Sequence, residues 1–403
     1  MESLLEAKVQ ALSQIQNLNN LQSPEEIFKK IHLALEESNL LKPSYPIIII
    51  AGTNGKGSVA HGLSACLKKS EYKIGLFTSP HLFNFNERIR VQDEPADEIF
   101  LLEILEKLEP ICEKFCLNFF QISFILALKF FESLNLDFGI FEVGLGGRFD
   151  PVNCLDPVLS IITSISRDHM EILGDNLEKI SWQKLGITRK TVPLLYADKN
   201  PQKIILENNQ ALLTEVYGRD FAYPITWPEP KMARENAAVI LRALEYLVGA
   251  QLIAPLQIAF CEKNIPYFSA PGRLVWIEAP WGGKVLVDVA HNEDSCRRLA
   301  EIIKKNWNGI GKIQAVFSAK PNKDIPAMRA AMASVIDVWH CVGLEEICLD
   351  LLELGNLNLH HYAALNQAYE AVKKNVLVGE ADLIVCFGSF SVANYILREL
   401  GSV

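Results

Sequence analysis

The residue types able to do chemistry in this chain gather where apolar runs end. Gly52-Thr53-Asn54-Gly55-Lys56-Gly57-Ser58 directly follows Ile47-Ile-Ile-Ile-Ala51. A glycine-rich turn after a buried strand aims backbone N–H groups and a helix N-terminus at an anion. A lysine inside that turn reaches terminal phosphates, and a following hydroxyl can touch the metal. The spacing departs from the usual G-x-x-x-x-G-K-[ST], because Gly57 separates Lys56 from Ser58 and Ile50 holds the place of the first glycine. A glycine turn with no ligand is the alternative. The lysine within the turn and the apolar run before it both favour phosphate work.

Three further apolar runs end in reactive types: Ser79 after Lys73–Thr78, Glu142 before Gly144-Leu-Gly146-Gly147, and Asp168-His169 after Val158–Ser164. A hydroxyl, a carboxylate and an imidazole beside a phosphate loop compose a Mg²⁺ site for a nucleotide. By residue type alone, His169 reads as a helix-cap or core histidine and Glu142 as a satisfied buried carboxylate. Their positions at strand ends favour the functional reading, because ligands of open α/β sheets gather at the carboxyl ends of the strands. Asp288-Val-Ala-His291-Asn292 repeats the pattern later in the chain. Arg273, in Pro271-Gly-Arg273, places a cation at a hinge, where it either crosses a cleft to phosphate or is a surface charge.

The elements that must position these groups follow from hydrophobic periodicity. Leu4–Leu18 and Pro24–Leu40 read as helices, the second capped by Ser23 with Pro24 in its first turn. Strands are expected at Ile47–Ala51, Lys73–Thr78, Phe138–Val143, Val158–Ser164 and Val192–Tyr196. The helices between them are expected at Val59–Lys69, Ala96–Cys116, Phe120–Leu134, Leu177–Leu185 and Ala233–Leu247. Such alternation means a parallel sheet covered on both faces. Ser269-Ala-Pro271-Gly-Arg273 breaks it, and alternation resumes at Lys284–Val289, Ile313–Phe317, Val335–Val342 and Leu383–Phe387. Two α/β domains are therefore expected, residues 1–270 and 271–403.

The totals exclude whole classes. A chain of 403 residues that is 49% hydrophobic and 22% charged builds a large core and is not disordered. A formal net charge of −9 argues against nucleic-acid and acidic-membrane partners. Nine scattered cysteines without a CxxC pair read as buried thiols of a reducing compartment; Cys112 and Cys116, four apart, are the one spacing open to a metal. The N-terminus shows no leader pattern and no apolar run reaches the roughly 18 residues of a membrane span, so a cytoplasmic protein is expected.

Taken in order, Gly52–Ser58, Thr78-Ser-Pro-His-Leu82, Asn86-Glu-Arg-Ile89, Glu142-Val-Gly-Leu-Gly-Gly-Arg148, Asp168-His169 with Ile172-Leu-Gly-Asp175, Pro271-Gly-Arg273 and Asp288–Asn292 resemble the folylpolyglutamate synthase family. The bifunctional bacterial members, relatives of the Mur ligases, match best, over about Ile47–Asn394. The resemblance implies an N-terminal P-loop-type ATPase domain with a parallel sheet and a smaller Rossmann-like C-terminal domain. It also implies ATP-dependent addition of L-glutamate to dihydropteroate and to the γ-carboxylate of reduced folates through an acyl phosphate. By resemblance, Gly52, Thr53, Asn54, Gly55, Lys56, Gly57, Ser58, Asn236, Arg273 and Asp288 contact ATP. Ser79, Glu142 and His169 hold Mg²⁺, and His291 faces phosphate and glutamate. Lys184 matches a lysine that becomes a metal-binding carbamate; its residue type alone reads as a surface lysine. The implied cofactors are ATP, two Mg²⁺ and K⁺, and the implied state is a monomer. Hinge closure of the two domains on substrate is expected with them.

Departures cluster on the pterin side. Gln183 and Leu185 flank Lys184, Asn118-Phe-Phe120-Gln121 replaces Thr-x-Phe-Glu, and Phe149-Asp150-Pro-Val-Asn153 replaces Leu-Asp-Ala-Thr-Asn. Asn118, Phe120, Gln121, Phe149 and Asp150 are the expected pterin residues, and their changes put substrate preference in question. The alternatives are a monofunctional dihydrofolate or folylpolyglutamate synthase, a peptidoglycan ligase of the Mur type, and a nucleotide-binding protein without turnover. The short stretch before Ile47 argues against the Mur type, which would carry a nucleotide-sugar domain there.

Overall fold

Four isoleucines and an alanine form the central strand β1 (Ile47–Ala51), buried at every position. The structure, a computed structural model, describes residues 3–14, 23–208, 210–254, 263–309, 311–343, 358–377 and 381–401. These fall in two compact units, 1–270 and 271–403. In the first, β1 pairs in parallel with β5 (Phe138–Glu142) and β6 (Leu159–Ile162). The sheet continues through β2 (Ile74–Phe77) on one side and β7 (Leu194–Tyr196) and β8 (Thr214–Val216) on the other. The order is β4-β3-β2-β5-β1-β6-β7-β8. The alternation predicts a parallel sheet throughout, but β3 (Ile89–Val91) and β4 (Glu94–Pro95) add antiparallel at one edge. Their brevity and charge hide them in the sequence, and the same features blunt an exposed edge.

Successive side chains of a strand face opposite ways. Ile47, Ile49 and Ala51 therefore join one apolar layer, with helices α1 (Leu4–Gln14), α2 (Pro24–Glu37), α4 (Glu98–Lys114) and α5 (Phe119–Glu132). Ile48 and Ile50 join the other, with α3 (Lys56–Lys69) and α9 (Arg234–Gly249). Short helices α6 (Met170–Leu173), α7 (Leu177–Lys184) and α8 (Lys203–Leu206) fill the connections. The expected extension of the first helix to Leu18 lies outside the described residues. Cys112 is buried in α4, whereas Cys116 lies beyond the helix end with φ +49°. Among the described residues no group of three or more His, Cys, Asp or Glu side chains encloses a metal, and no helix is long and apolar enough to cross a membrane.

The second unit has the order β13-β12-β11-β14-β10-β9. Its core strands are β10 (Lys284–Val287), β11 (Lys312–Phe317), β12 (Val338–Val342) and β14 (Ala381–Phe387), all parallel. The edges β9 (Val275–Glu278, antiparallel) and β13 (Asn358–Tyr362) escape sequence reading because neither is a buried apolar run.

Candidate nucleotide and metal site

Register fixes the site. Ile50 pairs with Glu142 and with Ile161, and Phe77 with Phe141, so four strands end side by side. Gly52 leaves β1 at φ +142°, and a Cβ there would lie 1.8 Å from Thr163 Oγ1. Gly55 (φ +94°) caps α3, and a Cβ there would lie 2.3 Å from Asn236 Nδ2. Only glycine combines both backbones with both neighbours. Because Gly55 brings no side-chain cap, the first N–H groups of a 14-residue helix stay directed at an anion. Asn236, buried on α9, reaches the loop from the neighbouring helix.

The loop after β6 braces the phosphate loop. Thr53 N donates to Ser164 O at 2.7 Å. Thr53 Oγ1 accepts from Ser166 N at 3.1 Å and donates to Ser166 O at 3.2 Å. Asn54 Nδ2 donates to Ser166 Oγ at 3.3 Å, and Ser164 Oγ to Asn54 O at 3.2 Å. Sequence reading missed Thr163, Ser164 and Ser166, since small hydroxyl residues at a strand end carry no distinguishing signal. Lys56 Nζ lies 3.5 Å from Thr53 O, folded over the turn, and Ser58 is buried.

Glu142 ends β5, is 4% exposed, and accepts from Ser79 N at 3.1 Å beside the cis Ser79–Pro80 bond. Its carboxylate lies 3.5 Å from where a Gly57 Cβ would be, next to the start of α3. Arg88 is buried nearby and donates to His81 Nδ1 at 2.9 Å; burial pushes its guanidinium down to about 10 against the pull of Glu6 and Glu142. His169 begins α6 at φ +50°, with its ring 3.9 Å from Asp168 and 3.8 Å from Glu171. Its side chain is 35% exposed, so it is not a core histidine. Ser79 and His169 thus sit on the loops after β2 and β6, and Glu142 is the last residue of β5. The carboxylate and the hydroxyl suit Mg²⁺, which keeps waters and phosphate oxygens in its remaining positions, while an imidazole is an unusual ligand for so hard a cation.

Lys184 corrects the reading by residue type. It is not a surface lysine: it is 3% exposed, and its Nζ donates to Gly52 O at 2.8 Å. Burial and then the charge of Lys56 push its ammonium down to about 7, opposed by Asp168 and Asp150. The signal was present, since Lys184 continues the buried stripe of Ile180 on α7.

The pterin candidates divide. Asn118 and Gln121 form the capping box of α5, and Gln121, 1% exposed, also donates from Nε2 to Ile27 O at 3.0 Å. Asp150 accepts N–H bonds from Leu145 and Val152 at 3.0 Å each, closing the glycine loop; burial pushes its carboxyl up to about 7. These three side chains are engaged in bracing. Phe120 and Phe149 are half-buried. The Phe120 ring occupies the space a Gly144 Cβ would need. Phe149 lies between Phe28 at 6.4 Å and Trp182 at 6.3 Å, ring centre to ring centre.

In the second unit, Asp288 follows β10 and accepts from Leu274 N at 3.0 Å and Ala290 N at 2.7 Å. Arg273 stands 5.9 Å from the Phe390 ring centre. His291 Nδ1 lies 2.9 Å from Val289 O.

Comparison with known proteins adds to this geometry. Residues 50–217 match the Mur ligase middle domain, and residues 272–390 the Mur ligase glutamate ligase domain. The dihydrofolate synthase/folylpolyglutamate synthase of Escherichia coli K12 is 30% identical, covering 96% of this chain and 94% of its own. The structure of E. coli FolC in complex with DHPP and ADP superposes with a TM-score of 0.84 at 28% identity, over 99% and 98% of the two chains. A bifunctional folylpolyglutamate synthase/dihydrofolate synthase with Mn, AMPPNP and L-glutamate bound gives 0.84 at 26% identity, over 99% and 98%.

Proposed function

The chain belongs to the dihydrofolate synthase/folylpolyglutamate synthase family of Mur ligases, and from that premise we infer an ATP-dependent ligase that joins L-glutamate to pterin carboxylates. It acts on dihydropteroate and on the γ-carboxylate of reduced folates. The γ-phosphoryl group passes to the substrate carboxylate, giving an acyl phosphate and ADP. The glutamate amine then attacks the acyl carbon, loses a proton, and phosphate leaves as the amide forms. A divalent metal bound with ATP neutralises charge on the phosphates.

Phosphoryl transfer asks a protein chiefly for positioning and electrostatics. The α3 N-terminus, the N–H groups of Gly52–Ser58 and Lys56 hold the phosphates, and Asn236 supports the loop from α9. Ser79, Glu142 and His169 hold the metal. Lys184 near neutrality presents a free amine to CO₂, which makes it a candidate carbamate and a further metal ligand. From the second unit, Arg273 and Asp288 are assigned to ATP and His291 to the phosphate and glutamate side. Phe120 and Phe149, with Asn118, Gln121 and Asp150 behind them, form the pterin side. K⁺ joins Mg²⁺ in this reading, tested by exchanging K⁺ for tetramethylammonium.

The observation that carries the reading is the alignment of four strand ends, with Lys56, Glu142 and Lys184 all meeting one glycine loop. The test is phosphate release and glutamate incorporation by purified protein given ATP, Mg²⁺, L-glutamate and either dihydropteroate or tetrahydrofolate. Turnover with both is expected; none with either would overturn the reading.

A further inference from the structure

The phosphate and metal groups leave one buried cation beside them without a task. Arg88 closes the short 3₁₀ turn Phe85–Arg88 and is 8% exposed. Its backbone O accepts from Thr78 N at 3.0 Å, and its Nε donates to His81 Nδ1 at 2.9 Å. Thr78 and His81 flank Ser79, so the loop that carries the hydroxyl is tied to Arg88 on both sides.

The protein does not match the charge of this guanidinium. An imidazole nitrogen that accepts carries no proton, so His81 is neutral. Glu6, Glu142 and Glu87 pull on Arg88 from a distance, but among the described residues none stands within about 4 Å of it, the reach of an ion pair. Glu6 faces His81 Nε2 at 3.5 Å, Glu142 accepts from Ser79 N, and Glu87 accepts from the N–H groups of Leu82, Phe83 and Asn84. The rings of Phe119 and Phe85, with centres 5.2 and 5.9 Å from Cζ, give the cation apolar walls. A guanidinium taken from water without a carboxylate partner is costly. Nη1 and Nη2 make no hydrogen bond among the described residues, and neither is sealed from solvent. With Nε held by His81, the Nη1–Nη2 end remains, and it takes a carboxylate through two parallel bonds.

Position selects which carboxylate. Strands β2, β5 and β1 are neighbours in that order. At their ends stand Arg88 with the Ser79 loop, then Glu142, then the phosphate loop. Phe119, beside the guanidinium, opens α5 next to Phe120, which the ligase reading gives to the pterin. We propose that Arg88 binds the carboxylate of the pterin substrate through Nη1 and Nη2 and holds it facing the phosphate loop. This assignment rests on the ligase reading and adds a substrate-binding residue to it.

Pteroate is the probe, titrated into the full-length protein without nucleotide or metal and followed by tryptophan fluorescence. Its decarboxylated analogue, an anilinomethylpterin, is the control. The wild type is expected to bind pteroate at least about tenfold more tightly than the analogue, the difference a charge-assisted pair supplies. Arg88→Met should erase that preference by weakening pteroate alone, and Arg88→Lys, which keeps the charge without the fork, should retain only part of it. A packing role would weaken both ligands equally. Equal wild-type affinities, a preference retained in Arg88→Met, or a loss shared by both ligands would each overturn the assignment, while wild-type turnover would leave the ligase reading standing. Pteroate that fails to bind the wild type overturns both. Should Arg88→Met fail to fold, a wild-type crystal grown with pteroate decides: carboxylate oxygens within about 3.2 Å of Nη1 and Nη2 support the site, and a carboxylate elsewhere or none refutes it.

Discussion

Lys184 shows what a single residue concedes to its surroundings. An exposed lysine keeps its proton to about pH 10.5, but burial and the nearby Lys56 bring this one down to about 7. Between those two values the unfolded chain binds a proton that the folded chain does not, so raising the pH favours the fold. Below pH 7 both states are protonated and the burial penalty is full. In CO₂-free buffer, urea unfolding of the wild type should therefore show stability rising from pH 7 toward 10. Lys184→Met should lack that rise and gain most at low pH. A wild-type curve as flat as the variant's would show that the ammonium is not buried in solution; added bicarbonate should raise the wild-type curve and start its rise at lower pH, because carbamate formation releases the same ammonium proton. Residue type alone could not separate Lys184 from surface lysines, because burial is decided by helix phase and by the distant Gly52 carbonyl. Lys56 was legible, since its meaning lies in its immediate neighbours.

Elements were legible where burial makes a simple pattern. Ile47–Ala51 reads as a buried strand because all its residues are apolar and all are buried. Asn358–Tyr362 does not, because an edge strand needs only partial cover and carries two histidines. The α5 cap illustrates a different ambiguity. By family resemblance Asn118 and Gln121 are expected at the pterin, yet here each caps the other's backbone. Asn118→Ala should cost roughly 1 kcal/mol in urea unfolding, the usual value of an N-cap, with little change in the KM for pterin. A large rise in KM at unchanged stability would return Asn118 to the substrate. Gly52→Ala acts on the loop itself. Its Cβ would enter the space of Thr163 Oγ1 at an unfavourable φ. Nucleotide affinity should fall by more than about tenfold while the helices persist by circular dichroism. Unaltered ATP binding would mean that the loop has room that the geometry denies it.

At the scale of the molecule, each sheet was recognisable from its central strands, and the antiparallel edges were not. In the proposed reading, function at this scale rests on a division of labour within the first unit. Lys56 opens α3 after the loop that leaves β1, and Glu142 ends β5; the proposed phosphate and metal roles there would be common to every carboxylate substrate. Phe149 packs among Phe28 and Trp182, and the proposed reading gives this group to the body of the substrate. If one nucleotide site serves both reactions, Lys56→Ala and Glu142→Gln must lower glutamylation of dihydropteroate and of tetrahydrofolate by the same factor, on the order of 10²–10³ each for loss of one preorganised charge. Phe149→Ala should instead raise KM and change the ratio of the two activities, because truncating an aromatic contact weighs differently on differently substituted pterins. Steady-state phosphate release with each substrate measures all three variants. Unequal losses in Lys56→Ala would mean that the two reactions use the phosphate loop differently. An unchanged ratio in Phe149→Ala would move the pterin away from this aromatic group.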